Sequence, residues 1–308
     1  MKTCIVIYNP NSGKVLRAKF LREYQAVLAQ YGYQARIIGT EYRGHAKEIA
    51  THLQPVDLVI SMGGDGTFNE VMTGNLARVK PLVLAHIPVG TTNDIGVMFG
   101  YGKDLKQNLL DLLDGVVRGM DIGLINGHPF VYVAGFGKFM QISYETPGKL
   151  KKTYGQAAYF LEGVKDFFRP TKLYKLTYGV NGIEKQGYYS FMLISNANRI
   201  AGIDNFYKDV KLDDGQFEVL FCNFRKAIDI IRTLGLLAVT DASKISGVEF
   251  YKTNRIEIAF DAYPRKAWCV DGEKLERAVL KYEISNVRNV QVMLPRKNIN
   301  KIFLKGLE

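Results

Sequence analysis

The chain has little thiol chemistry to offer. Its 308 residues hold three cysteines, Cys4, Cys222 and Cys269, none of them in a C-x-x-C pair. That excludes a disulfide framework and a cysteine-ligated zinc site. Histidines are as scarce. His45 and His52 stand seven apart, His86 and His128 stand alone, and no H-E-x-x-H site can form. His86, in an apolar strand before Ile87-Pro88, reads as a satisfied core residue rather than a ligand. No G-x-S-x-G elbow is present, and Met120 and Met140 read as core filler. No run approaches the roughly 18 apolar residues of a membrane span. The apolar start stops at Tyr8-Asn9-Pro10, short of the ~7–15-residue core of a secretion signal. It reads as a buried first strand, and the chain as cytoplasmic. Acids are the minority charge, 30 against 41 Lys and Arg, for a net +11. With no RNP, helix-turn-helix or zinc-finger pattern, that excess does not point to nucleic acid. The 47% hydrophobic and 12% aromatic content excludes a mainly disordered chain.

What is present is organised. In the first third, short apolar runs (Cys4–Tyr8, Tyr33–Gly39, Leu58–Met62, Leu82–Ile87) alternate with helical spacing over 20–31, 45–53, 67–75 and 105–117. This predicts a doubly wound α/β domain with a parallel sheet, whose ligands sit at the carboxyl ends of its strands. From about Met120 the pattern turns to strands at Phe130–Phe136, Leu173–Val180, Tyr188–Ser195, Phe217–Asn223, Arg255–Phe260, Trp268–Val270 and Ala278–Ile284. Turns such as Asn181-Gly182 and Asp214-Gly215 join them, and two helical stretches, 154–168 and 226–239, interrupt them. A β-sandwich domain is expected. The division reads as 1–124 for the first domain, completed by 290–308, and 125–289 for the second.

Four loops carry candidate chemistry. Asn9-Pro10-Asn11-Ser12-Gly13-Lys14 follows the first strand, where small residues let backbone N–H groups converge on an anion. It is not a Walker A loop: Tyr8 stands where the first Gly belongs and Val15 replaces the Ser/Thr. An ordinary strand-to-helix turn explains it equally well. Gly63-Gly64-Asp65-Gly66-Thr67, followed by Phe68-Asn69-Glu70, sets three glycines around one carboxylate, more than a turn needs. Asp65 suits Mg²⁺ or a phosphate-bound water, and Thr67 can cap the next helix. Pro88-Val89-Gly90-Thr91-Thr92-Asn93-Asp94 repeats that logic, with a carboxylate at a helix start. Val270-Asp271-Gly272-Glu273 flanks one Gly with two acids, as a general base and its partner require. A hairpin turn with solvated acids fits that last pattern as well.

These four blocks, in this order, resemble the diacylglycerol kinase catalytic-domain family, which includes sphingosine kinases and bacterial lipid kinases. The match is closest to the soluble diacylglycerol kinases of Gram-positive bacteria. Ser143-Tyr144-Glu145-Thr146-Pro147-Gly148-Lys149-Leu150-Lys151 and Lys211-Leu212-Asp213-Asp214-Gly215-Gln216-Phe217 extend the resemblance over nearly the whole chain. It implies ATP and Mg²⁺ as cofactors, with ATP in a cleft between an α/β domain and a β-sandwich. Asn9, Pro10, Asn11, Ser12, Gly13, Thr40, Gly64, Asp65, Gly66, Thr67, Phe68, Asn69, Glu70, Thr91 and Asn93 fall on nucleotide positions. Glu273 falls on the catalytic base, with Asp271 beside it, and Asp65 on the acid serving ATP and magnesium. A structural magnesium would take the Asp214 carboxylate and the backbone carbonyls of Lys211 and Gln216. Gln216 stands where the family often has an aromatic, a change a carbonyl ligand tolerates.

The resemblance gives the positive charge a use. Residues 145–175 hold seven Lys and Arg against three acids, interleaved with Tyr154, Tyr159, Phe160, Phe167 and Phe168. Residues 288–305 add Arg288, Arg296, Lys297, Lys301 and Lys305 with no acid. Anionic phospholipid headgroups attract such segments at about 1 kcal/mol per cation. The expectation is a lipid kinase on the inner face of the cell membrane, phosphorylating diacylglycerol. Sphingoid bases, phosphatidylglycerol, polyprenols and, further off, a nicotinamide dinucleotide or sugar phosphate remain alternatives. A non-catalytic binding module is disfavoured by intact Asp65, Asp271 and Glu273. An exposed sandwich edge leaves a homodimer open.

Overall fold

The structure is a computed structural model. It describes residues 1–13, 18–138, 140, 171–200, 202–204, 206–207, 209–237, 239–240, 244–275 and 278–306, with backbone only at 203, 204, 234 and 237. Lys14, the 143–151 block and most of the basic segment 145–175 lie outside the described residues. Two compact units emerge: Met1–Met120 with Arg288–Glu308, and Asp121–Val287.

In the first unit, strands β1 (Lys2–Tyr8), β2 (Tyr33–Gly39), β3 (Leu58–Gly63) and β4 (Leu84–Pro88) run parallel. Helices α1 (Ala18–Gln30), α2 (His45–His52) and α3 (Asp65–Leu76) make the crossovers. Short α4 (Asp94–Met98) and α5 (Leu105–Leu113) follow β4. All of β3 and β4 is buried, as strands of a covered parallel sheet must be. β1 pairs with β2 on one side and β3 on the other. The chain therefore reverses its winding at β1, and the loops after β1 and β3 flank a crevice that suits a ligand. Two further segments carry the chain onward: strand β5 (Val116–Ile125) and the hairpin partner β6 (His128–Phe130).

The second unit contains two antiparallel sheets. One has the order β14-β13-β10-β7-β16-β17: Val248–Thr253, Phe217–Cys222, Phe191–Ser195, Val133–Gly137, Cys269–Val270 and Glu273–Lys274. Strands β8 (Tyr174–Val180), β9 (Ile183–Tyr189), β15 (Ile256–Phe260) and the first part of β18 (Lys281–Leu294) build the other. A two-stranded ribbon, β11 (Arg199–Ile200) with β12 (Ile203–Asp204), and helix α6 (Ala227–Leu237) complete the unit. The end of β18 belongs to the first unit, where Val292 lies parallel beside Leu84, and is followed by α7 (Ile299–Ile302). Inward residues of both sheets make one core: Phe136, Met192, Ile194, Phe217 and Phe221 pack with Tyr178, Ile256, Ile258, Phe260 and Tyr282 around Trp268. The sandwich expected from the sequence is observed.

Several boundaries differ from the sequence reading. The helix expected over 105–117 ends at Leu113, and Val116 already opens β5. The run 188–195 is broken at Ser190, whose N–H and hydroxyl both donate to the Cys222 carbonyl, so its halves join different sheets. β9 was missed because, as a solvated edge strand, it exposes Glu184, Lys185 and Gln186 and lacks an apolar face. His86 is buried as expected but not satisfied, since neither ring nitrogen has a hydrogen-bond partner. Its ring stacks on Phe68 at 4.9 Å, and burial drives its pKa down to about 3. The ring is neutral.

One polar cluster ties the sandwich together. The Glu249 carboxylate on β14 accepts hydrogen bonds from the hydroxyls of Tyr178 (2.6 Å), Tyr189 (2.5 Å) and Tyr251 (3.0 Å) and from Lys185 (2.9 Å). Burial pushes its pKa up, but the four donors win and hold it at about 2. A carboxyl whose folded pKa is depressed adds stability above its unfolded pKa, and that contribution fades as pH falls toward 2. Discounted for partial exposure, Glu249→Gln should lose about 1–2 kcal/mol at neutral pH. Urea unfolding should show that gap at pH 7 and its progressive closure below about pH 4.5; a gap independent of pH would contradict the assignment.

Candidate active site

The first unit brings three of the four loops together. Backbone meets backbone where only glycine fits. Gly13 has φ +51°, and a Cβ there would overlap the Val89 carbonyl oxygen. A Cβ on Gly90 would stand 2.7 Å from the Gly64 Cα. Side chains lock the arrangement. The Asn9 amide donates to the Thr67 hydroxyl at 3.1 Å, and its carbonyl oxygen accepts from the Asn11 N–H at 2.9 Å. The Gly64 N–H donates to the Ser12 hydroxyl at 3.3 Å, and the Val89 N–H to the Gly63 carbonyl at 2.8 Å. Thr40, buried at the end of β2, donates its N–H to the Tyr8 carbonyl at 2.8 Å and so stands beside Asn9.

Helix α3 begins at Asp65, two residues before the capping role expected of Thr67. Gly64 is its N-cap and no side chain caps it. The N–H groups of Thr67 and Phe68 turn back onto the Gly64 carbonyl at 3.0 and 3.2 Å, and the helix dipole makes that end favourable to an anion. Thr67 is 6% exposed and holds Asn9 instead of capping. Asp65 caps a different helix: its carboxylate oxygens accept the N–H groups of Asp94 (3.0 Å) and Ile95 (3.1 Å) at the start of α4. Asn93, at φ +53°, donates to the Gly90 carbonyl at 2.8 Å, while its own Oδ1 is buried without a partner.

Other expected nucleotide positions fill different places. The Phe68 side chain is fully buried against His86 and Phe99, which leaves only its backbone for a ligand. Glu70 accepts the Gly44 N–H at 2.9 Å and so fixes the loop after β2. Pro10, Asn69 and the glycines Gly64 and Gly66 are partly exposed in the same region, and Asn11 and Thr91 are exposed at the loop tips.

In the second unit, Asp271 and Gly272, both at positive φ, form the two-residue turn of the β16–β17 hairpin. The two acids part company here. Asp271 is 3% exposed, and its carboxylate accepts the N–H groups of Val131 (2.6 Å), Tyr132 (3.1 Å) and Val133 (3.0 Å). It is a backbone clamp rather than a solvated turn acid. Glu273, paired with Val270, is exposed.

The Lys211–Gln216 loop is anchored by a residue the sequence reading passed over. Asp121, buried in β5, accepts the Gly215 N–H at 2.6 Å and donates its own N–H to the Leu212 carbonyl at 2.6 Å. A lone carboxylate inside the run Gly119-Met120-Asp121-Ile122-Gly123 was the available signal. Asp214 accepts the Gln216 N–H at 2.9 Å through one oxygen, and Asn286 donates to the Gly215 carbonyl at 2.8 Å. Among the described residues no group of three or more His, Cys, Asp or Glu could hold a metal. A set of one carboxylate and two backbone carbonyls is a different, all-oxygen kind, suited to a hard cation. Buried Glu218 lies on the strand that follows. Burial and the neighbouring Asp214 raise its pKa to about 7 against the opposing pull of Lys252.

Known proteins are similar to this chain in sequence and in fold. The diacylglycerol kinase catalytic domain matches residues 3–125. A diacylglycerol kinase of Bacillus subtilis (strain 168) is 30% identical over 308 residues, 98% of this chain and 99% of its own length. One from Staphylococcus aureus (strain JH9) is 31% identical over 311 residues, 99% of this chain and 96% of its own. In fold, the crystal structure of a diacylglycerol kinase from Bacillus anthracis str. Sterne superposes with TM-score 0.70 at 20% identity, over 95% of this chain and 96% of that one.

The Asp65 geometry is directly testable. Asp65→Ala removes the acceptor of two amides, and each amide left unsatisfied costs about 1–3 kcal/mol. Hydrogen exchange should accelerate at Asp94 and Ile95 before it does elsewhere, with Asp65→Asn restoring part of the protection. Unchanged exchange at both amides would show that the carboxylate does not hold them.

Proposed function

The chain belongs to the diacylglycerol kinase family of lipid kinases, and on that premise we propose that it transfers the γ-phosphoryl group of ATP to the free hydroxyl of diacylglycerol. The product is phosphatidic acid. The observation that carries this reading is the meeting of the loops after β1, β3 and β4 at Gly13, Gly64 and Gly90, beside the uncapped start of α3. Such a surface offers amides rather than side chains, as a polyphosphate requires.

Phosphoryl transfer depends on positioning and charge neutralisation more than on covalent help. In this reading Asn9, Ser12 and Thr67 set the shape of the loops, and Asp65 fixes the third loop against the second. The unpartnered Asn93 oxygen fits a ligand donor in the same cradle. Magnesium bound with the nucleotide would offset charge on the transferring group, and a carboxylate such as Asp65 suits one of its waters. Glu273 takes the hydroxyl proton as the new P–O bond forms and ADP departs. Asp271, saturated by three amides, orients the hairpin that carries Glu273. Asp214 with the carbonyls of Lys211 and Gln216 would hold a structural magnesium, a donor set that fits the ion.

The site of action in this reading is the cytoplasmic face of a membrane. No helix among the described residues is long and apolar enough to cross one, so the enzyme would approach its lipid from the surface. Sphingoid bases, phosphatidylglycerol and polyprenols present the same hydroxyl on an apolar tail and are the competing acceptors.

Labelled ATP and Mg²⁺ with mixed micelles of these lipids and a nicotinamide dinucleotide should label diacylglycerol as the main product. Glu273→Gln should retain ATP binding and lose turnover by about 10²-fold or more. A near-normal rate in that variant would remove Glu273 from the base role, and label on the dinucleotide alone would remove the lipid.

A further inference from the structure

Helix α6 turns large apolar side chains toward solvent. Ala227, Ile230 and Thr233 are buried and define its inward side. On the other side Ile228, Ile231 and Leu236 are 47%, 46% and 38% exposed, and Val239 just beyond the helix is 70% exposed. The longer helices of the first unit behave differently. α1 presents Lys19, Arg22, Glu23 and Gln30 to water, and α5 presents Lys106 and Gln107. A surface helix ordinarily keeps its branched apolar residues on the core side, so an outward stripe of them marks a surface that meets something.

The charges around the stripe say what. Arg232 lies within it, Arg225 and Lys226 precede it and Lys244 follows, against the acids Asp229 and Asp241 in residues 223–246. A cleft of about 390 Å³ beside the helix is walled by Arg232 and Lys244 together with Phe224, Leu236 and Ile245; Asp229 also lines it. Isoleucine and leucine next to a guanidinium and an ammonium match the two halves of an anionic phospholipid. The cations meet the phosphate, and the branched side chains enter the upper acyl region. We propose that the outer face of α6 is a docking surface for an anionic phospholipid bilayer. The proposal rests on the lipid-kinase reading for its choice of a bilayer as partner. It adds to the basic segment at 145–175 a second and apolar point of attachment, placed on a defined helix.

Cosedimentation with vesicles of phosphatidylcholine, with and without phosphatidylglycerol, tests it in the absence of ATP and diacylglycerol. Wild-type protein should bind the phosphatidylglycerol vesicles and be weakened by salt. Ile228→Ser/Ile231→Ser should bind about tenfold or more weakly, from the apolar area lost. Arg232→Glu should lose about thirtyfold on phosphatidylglycerol and little on phosphatidylcholine alone. Ile183→Ser, at an isoleucine 49% exposed on β9, should bind as wild type does. Vesicle binding by the double variant equal to wild type, or none by wild type, overturns the proposal. So does a shift from dimer to monomer in sedimentation velocity when Ile228 and Ile231 are changed, which would assign the face to a second copy of the chain. Docking through α6 without phosphorylation of diacylglycerol would instead sink the kinase reading and leave the docking surface in place.

Discussion

Everything proposed for the first unit depends on backbone reaching backbone without a side chain between. Three strand-end loops can offer their amides to one ligand only if they approach within a few ångströms. A single methyl group on Gly13, against Val89, or on Gly90, against Gly64, would hold them apart. Glycine pays for this closeness with conformational entropy, and the structure recovers rigidity through side chains that bond across loops: Asn9 to Thr67, Ser12 to Gly64, and Asp65 to the start of α4. The polar side chains of these motifs thus act first on their own backbone. A ligand then meets a preformed surface instead of ordering one, which lowers the free energy lost on binding.

The same economy recurs in the second unit. Asp271 and Asp121 are buried carboxylates, and each would carry a large desolvation penalty if it stood alone. Asp271 offsets that with three amides and so fixes the segment Val131–Val133 against its own hairpin. Asp121 serves the Gly215 amide and pins the loop that carries Asp214. In each case a buried acid holds the backbone next to a more exposed one. The division is geometric: three backbone amides hold Asp271, while Glu273, two residues on, is exposed.

The order of elements and the strand-end position of the first three loops were legible in the sequence, because hydrophobic period and glycine clusters report burial and turns directly. The β-sandwich followed from strand density and turns such as Asn181-Gly182 and Asp214-Gly215; the first adopts positive φ at both residues, the second only at Gly215. What could not be read was partnership across long separations. Nothing near Asp65 in sequence says that its acceptor role lies some thirty residues ahead on α4. Asp121 looks like a polar interruption until Gly215 is folded against it, and Ser190 breaks an apolar run only because Cys222 is its partner. Family resemblance could supply roles for Asp271 and Glu273, but that one is a buried clamp and the other exposed emerges only from the three amides of Val131–Val133.

Two glutamates on neighbouring strands show how donors and burial together decide what a carboxyl becomes. Glu218 on β13 is buried and Glu249 on β14 partly so, and burial pushes both toward the protonated form. Glu249 meets three tyrosine hydroxyls and an ammonium and is held at about 2. Glu218 has the Lys252 ammonium at 3.5 Å, Asp214 as a like-charged neighbour and one oxygen with no partner, and it rises to about 7. The two differ both in donor count and in depth of burial, the Glu218 side chain being 3% exposed and that of Glu249 31%. Glu249 is therefore a fixed charge that rivets β14 to β8 and β9. Glu218, near the Asp214 loop, is left close to balance between its two protonation states.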